Sequence, residues 1–277
     1  MDFSKVRMVV IDMDGTLLNS KGQISDTFFN LYSELKKFNI KFVAASGRPY
    51  DSITNKIGFL KDEITIVSEN GAYAKHKHQE LLLTNLAENR RELILPILRK
   101  LDGVYPVLCG KNYAYLETRE KRFIDVFNEY YVSYKIVDDL SKVNNDDFLK
   151  IAVYHFESSE KFIYPAVKHL ENEMQVKVSG EHWVDLSEKN ANKGYAIDFL
   201  QKKWGITKEE TMVFGDYNND IEMLELADFS YAMENAHPNV LKTANYMTKS
   251  NDEEGVEIVL EELLKAKILT ANKKEIL

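Results

Sequence analysis

The chain has 277 residues, 44% hydrophobic and 29% charged, the make-up of an ordinary globular protein with room for one large domain or two smaller ones. A net charge of -8 argues against nucleic acid as a partner, although a local positive site could still take a small phosphorylated ligand. Cys109 is the only cysteine, which excludes an intramolecular disulfide and fits a small buried apolar residue; no apolar run nears the roughly 18 residues of a membrane span.

The opening residues MDFSK lack the basic-then-apolar layout of a secretory signal, so a cytoplasmic protein with no membrane partner is expected. Arg7 to Ile11 is a short apolar run suited to a strand covered on both faces. Ser25 or Asp26 can cap a helix whose apolar positions Phe28, Leu31, Leu35 and Phe38 recur at helical spacing. Ile40 to Ala45 gives a second strand ending in SGRP, and Ile64 to Val67 a third ending in SENGAY. This βαβαβ start predicts a mostly parallel sheet with helices on its faces.

The middle of the chain changes character. AYAKHKHQELLL predicts a hairpin turning over His76, Lys77 and His78, where the two histidines read as a solvated tip rather than a metal site. From about 86 to 188, helices near 87–101, 119–131 and 158–172 mix with strands at Tyr113 to Leu116, Leu149 to Phe156 and His182 to Leu186. After Asn190 the alternation resumes: a helix from Lys193, a strand at Met212 to Phe214, a helix after Asn218, a strand at Phe229 to Met233, and a long helix after Asp252. The expected organisation is an α/β core, residues 1–85 and 189–277, interrupted by an α+β module at 86–188. The fold class expected of the core is Rossmann-like, a mostly parallel sheet with helices on both faces.

In such sheets ligands bind beyond the carboxyl ends of the strands. The first strand ends in Asp12 and Asp14, the second in Ser46, Gly47 and Arg48, and the strand after the insertion in GDYNND, which supplies Asp216, Asn219 and Asp220. Residues i and i+2 of extended chain project to the same side, so Asp12 and Asp14 can address one ligand. Two carboxylates that close do not both ionise comfortably without a cation. With Asp216 as a third, the hard oxygen donors suit Mg²⁺. A calcium loop counted from Asp12 fails, because Thr16, Leu17 and Gln23 fall where an EF-hand needs an oxygen ligand, glycine and glutamate. Ser46 at a strand end suits a phosphate hydroxyl donor, with the Gly47 N–H beside it. For Arg48 a surface salt bridge and a substrate contact are equally open.

Together DMDGT at Asp12 to Thr16, Ser46, Lys193 and GDYNND resemble the haloacid dehalogenase superfamily of phosphotransferases. Their order, the position of the insertion, SENGAY and the later AMENAHPNVLKTANYMTKSNDEEGV are similar to the Cof-type subfamily, whose α/β cap lies between the serine and lysine motifs. The resemblance implies a Mg²⁺-dependent phosphatase of small phosphate monoesters, sugar phosphates first among them. By it, Asp12 is the nucleophile that forms an aspartyl-phosphate, and Asp14 the general acid and then base. It also implies Mg²⁺ held by Asp12, Asp216 and the backbone carbonyl of Asp14. Asp220 would orient a metal-bound water, and Asn219 touch phosphate or position its neighbours. Lys193 would offset the charge of nucleophile and phosphate. Cap residues would choose the leaving group, with Tyr105, Lys111, Tyr113 and His182 as candidates. A sugar phosphomutase, which lets a sugar rather than water meet the aspartyl-phosphate, is the alternative, and a non-catalytic ligand-binding regulator a third.

Overall fold

A computed structural model describes residues 2–275 of the chain. It divides into two compact units: residues 1–46, 56–66 and 193–277, and residues 47–55 with 67–192.

In the first unit five parallel strands lie side by side in the order Tyr246–Met247, Phe229–Ala232, Thr211–Gly215, Met8–Asp12 and Lys41–Ala45. Every residue of Met8–Asp12 is buried, as an unbroken apolar run covered on both faces requires. The next strand, Thr65–Ser68, runs out of this unit into the second. Ser25 caps the helix Asp26–Leu35 by accepting from Phe28 N, and Phe28, Leu31 and Leu35 face the core as their spacing predicts. Phe38 instead falls in a following 3-10 turn and is only half-buried. The final helix starts at Gly255, three residues after Asp252.

The second unit carries a six-stranded sheet in the order Gln175–Val178, Trp183–Ser187, Phe148–His155, Val104–Gly110, Ala114–Leu116 and Tyr134–Ile136. All neighbours are antiparallel except the last pair. Alternating side chains feed two cores. Leu108, Ile151, Val153, Val184 and Leu186 pack with the helix Glu88–Leu98, while Val107, Cys109, Ala152 and Tyr154 pack with Phe123 and Phe127 of the helix Lys121–Phe127. Cys109 is buried, as a lone small apolar residue should be, and its thiol is pushed up mainly by that burial. The hairpin Tyr73–His76 with Gln79–Leu83 turns over Lys77 as expected.

One expected helix is broken. The 158–172 stretch forms two four-residue turns, Ser159–Phe162 and Tyr164–Val167, and then a 3-10 segment. Pro165 fits the break: it lacks the N–H that a continuing helix needs and stands in the first turn of the second segment, where that N–H has no partner to lose.

Candidate active site

The register of the parallel strands builds the site. Ile11 lies level with Phe214, and Asp12 level with Ala45. Asp216 and Ser46, each one residue past its strand, therefore sit at the carboxyl ends of the two strands flanking Met8–Asp12. Two glycines make the loops fit. Gly15 has φ +79°, and a Cβ there would lie 2.2 Å from Asp216 Oδ2. A Cβ on Gly215 would lie 2.6 Å from the Cβ of Asp220. Any side chain at either position would push an aspartate away.

Lys193 begins the helix Lys193–Trp204, is 1% exposed, and reaches back to the strand ends. Its Nζ donates to Asp12 Oδ1 at 2.5 Å and to Asp220 Oδ1 at 2.6 Å. The other oxygen of Asp220 accepts from the backbone N–H groups of Asp216 and Tyr217 at 2.9 and 3.1 Å. Both Asp220 oxygens are thus engaged within the protein, whereas Asp216 Oδ1 takes one bond from Thr16 Oγ1 at 3.3 Å. Asp12, Asp216 and Asp220 offer carboxylate oxygens within 4.8 Å of one another.

Charge is out of balance here. Burial first, then the Asp220 carboxylate, push the Asp12 carboxyl well above the usual range, although Lys193 opposes them. The same two causes push Asp216 up to about 7. Burial alone would lower the Lys193 ammonium, but Asp12 and Asp220 outweigh it and raise its proton affinity. Three carboxylates share one ammonium, so a cation would relieve the remaining repulsion. The donors are all hard oxygens, which fits Mg²⁺.

Of the residues expected from the sequence, Asp12, Asp14, Ser46, Lys193, Asp216, Asn219 and Asp220 fall in the first unit, and Gly47 and Arg48 in the second. Asp12 and Ser46 are buried, Asp14 is exposed, and Asn219 lies half-buried in the 3-10 turn Asn218–Asp220. The turn carrying Asp14 is closed by Leu17 N to Asp12 O and Leu18 N to Met13 O, at 3.2 and 2.8 Å. Arg48 extends over the Tyr130 ring and toward the Glu129 carbonyl.

The four leaving-group candidates all lie in the second unit. Tyr105 stacks on Phe123 and bonds Glu120, Lys111 pairs with Glu80, and His182 Nδ1 meets the His155 carbonyl. Tyr113 lines a cleft of about 280 Å³ with Asn112, Lys135 and Asp146.

A second charged cluster, to which no sequence motif assigns a role, lies within the second unit. Lys150 is 3% exposed and pairs with Glu69 at 2.8 Å and Asp185 at 3.0 Å. It also donates to the Gly47 carbonyl at 3.0 Å, and Asn70 Nδ2 donates to Asp185 at 2.9 Å. Glu69 and Asn70 both have positive φ, 50° and 53°. The one local hint was SENGAY, with its Asn-Gly pair marking a turn.

The model of the haloacid dehalogenase-like hydrolases matches residues 9–260. A 5-amino-6-(5-phospho-D-ribitylamino)uracil phosphatase of Escherichia coli is 32% identical, the match covering 94% of this chain and 97% of the relative. A phosphatase of Bacillus subtilis is 28% identical, with 94% and 100% covered. Among solved structures, a Streptococcus mutans protein superposes with a TM-score of 0.86 at 32% identity, covering 94% of this chain and 99% of the other. A haloacid dehalogenase-like hydrolase of B. subtilis gives 0.83 at 26%, covering 92% and 99%. The chain therefore belongs to the haloacid dehalogenase-like hydrolases, in their Cof-type branch, and is a phosphatase of that family.

Proposed function

We propose that the chain hydrolyses small phosphate monoesters with Mg²⁺, through an aspartyl-phosphate on Asp12. The observation that carries this is the Lys193 centre, where one buried ammonium bridges Asp12 and Asp220 while Asp216 adds a third carboxylate. Asp12 and Asp216, with the backbone carbonyl of Asp14, would hold the ion. Asp220, its oxygens already engaged, would orient what the ion binds. When bound, Mg²⁺ supplies positive charge against which a carboxylate can approach a phosphate dianion.

The protein's own groups do the rest. Asp12 attacks phosphorus and the ester oxygen leaves. Asp14, exposed at the loop, gives that oxygen its proton and then takes one from the water that cleaves the acyl phosphate. Lys193 keeps Asp12 oriented and shares its charge. Ser46 and the Gly47 N–H donate to the phosphate oxygens, with Arg48 and Asn219 as further contacts. Residues 86–188 act as a cap on the core of 1–85 and 189–277, closing to exclude water during the first step. Sugar phosphates and related metabolites are the leading substrates; the phosphoribityl compound in the name of the E. coli relative belongs to that class. A cytoplasmic enzyme fits such substrates, and no helix among the described residues is long and apolar enough to cross a membrane.

The test is phosphate release from a panel of phosphorylated metabolites by the purified protein with Mg²⁺, alongside isomer analysis of the hexose phosphates. Release from several monoesters without isomer formation is expected. Isomerisation without release would replace hydrolysis by a mutase reaction, and inertness toward every monoester would overturn the proposal.

A further inference from the structure

The segment Met233 to His237, part of the AMENAHPNV stretch that carried resemblance but no role, touches both loops of the carboxylate centre. Its backbone donates from Met233 N to the Gly215 carbonyl at 3.1 Å and from His237 N to the Asp216 carbonyl at 2.8 Å. From between them Asn235 reaches the other loop, with Nδ2 donating to the Gly15 carbonyl at 2.8 Å. Asn235 is itself held. Its Oδ1 accepts from Asn251 N at 3.1 Å, and Asn251 Nδ2 donates to the Leu18 carbonyl at 2.8 Å. Only one orientation of the Asn235 amide satisfies both partners, because one end must accept and the other donate.

The held peptide matters because it belongs to a glycine. Gly15 is the point where the loop after Asp12 touches Asp216, so close that no Cβ fits between them. Glycine has the widest backbone freedom of any residue, and nothing in its own geometry fixes this peptide plane. The neighbouring carboxylates repel one another, and Thr16 Oγ1 to Asp216 Oδ1 at 3.3 Å is a tie the loops make between themselves; the Asn235 bond adds another, from outside both.

We propose that Asn235, oriented by Asn251, is a positioning residue for the carboxylate centre. It ties the Gly15 peptide to the strap that also holds Asp216, and so sets the spacing at which Asp12 and Asp216 share a cation. This rests on the metal-dependent reading above. Partners that orient metal ligands from outside typically change metal affinity by about 10- to 100-fold when removed.

The experiment measures Mg²⁺ binding by calorimetry, with thermal unfolding and turnover on an aryl phosphate as companions, for wild type, Asn235→Ala, Asn251→Ala and the double variant. Asn235 is solvent-exposed, so the metal-free melting temperature of Asn235→Ala is expected to stay near wild type. Its Mg²⁺ dissociation constant is expected to rise about 10-fold, with kcat largely restored at saturating Mg²⁺. Asn251→Ala is expected to weaken Mg²⁺ less, and the double variant no more than Asn235→Ala, since both act through one chain of bonds. Wild-type Mg²⁺ affinity in Asn235→Ala overturns the inference while leaving the phosphatase reading intact. A purely structural role would instead lower the metal-free melting temperature and kcat at unchanged Mg²⁺ affinity, and that pattern also overturns it. A wild-type protein that binds no Mg²⁺ sinks the metal reading, and this inference with it.

Discussion

Each unit of the molecule buries one lysine between two carboxylates, and the two centres are built differently. Lys150 meets Glu69 and Asp185, and neutral groups complete the set: Asn70 donates to Asp185, and the Gly47 carbonyl takes the spare ammonium proton. Lys193 meets Asp12 and Asp220, but Asp216 crowds in as a third carboxylate and no second cation accompanies it there among the described residues. The first arrangement is a brace: the three ammonium protons all face acceptors and Asn70 steadies Asp185, while burial, outweighing Lys150, still raises the Glu69 carboxyl. The second sets a third carboxylate beside a single ammonium, as the proposed cation and phosphate site would require. A buried lysine with two acidic partners is therefore no sign of chemistry in itself. The surplus of carboxylates is.

Four experiments try that distinction. The largest effect is expected at the proposed nucleophile: Asp12→Asn should cost about 10⁴-fold or more in turnover of an aryl phosphate, followed by phosphate release. Retained turnover would move the chemistry away from the Lys193 centre.

Next comes the brace. Lys150→Met strands two buried carboxylates and should cost about 3–5 kcal/mol of stability, read from the urea midpoint. Neutralising Glu69→Gln and Asp185→Asn in the same chain should restore most of that loss, because a buried ionic group replaced as a whole is close to neutral. If the single variant were as stable as wild type, the cluster would brace nothing.

Third, Mg²⁺ at about 100 times its dissociation constant should stabilise the wild type by about 2.7 kcal/mol, seen as a higher melting temperature. Asp216→Asn should lose most of that gain. An equal gain in both proteins would locate the ion elsewhere.

The smallest effect is the pH dependence of that gain. Asp216 is raised to about 7 and Asp12 is raised as well, so the folded, metal-free protein holds protons that the unfolded chain has lost. Metal-free stability from these groups is present at low pH and falls as pH rises toward about 7. Mg²⁺ must displace the Asp216 proton and any that Asp12 holds, so its apparent affinity should fall by at least about tenfold per pH unit below about 7. Melting curves with and without Mg²⁺ between acidic and mildly basic buffers would show it, and a flat difference would argue that Asp216 does not bind the ion.

How much of this was legible beforehand follows from the range of each interaction. The parallel core could be read from short apolar runs separated by an amphipathic helix, because burial on both faces writes itself into contiguous residues. The acidic strand ends were visible for the same reason, each lying within a few residues of its strand. Lys193 was different: as a single lysine before a glycine it carried no local signal, and only the family resemblance singled it out. Pro165 was in plain view, yet 158–172 reads as one helix where the chain makes two short turns.

By itself, then, the sequence determined the alternation of elements, the acidic ends of the central strands and the family to which they belong, all properties of residues near one another in the chain. Only the tertiary structure decided which charges meet. Lys193 reaches Asp12 across 181 positions, Lys150 reaches Asp185 across 35, and Asn235 reaches Gly15 across 220. Such pairings follow from strand register and helix packing; in the strands a shift of one residue would turn Asp12, Lys150 or Asp185 to the opposite face. That is why two lysines indistinguishable as letters became a brace in one unit and the charge partner of the proposed nucleophile in the other.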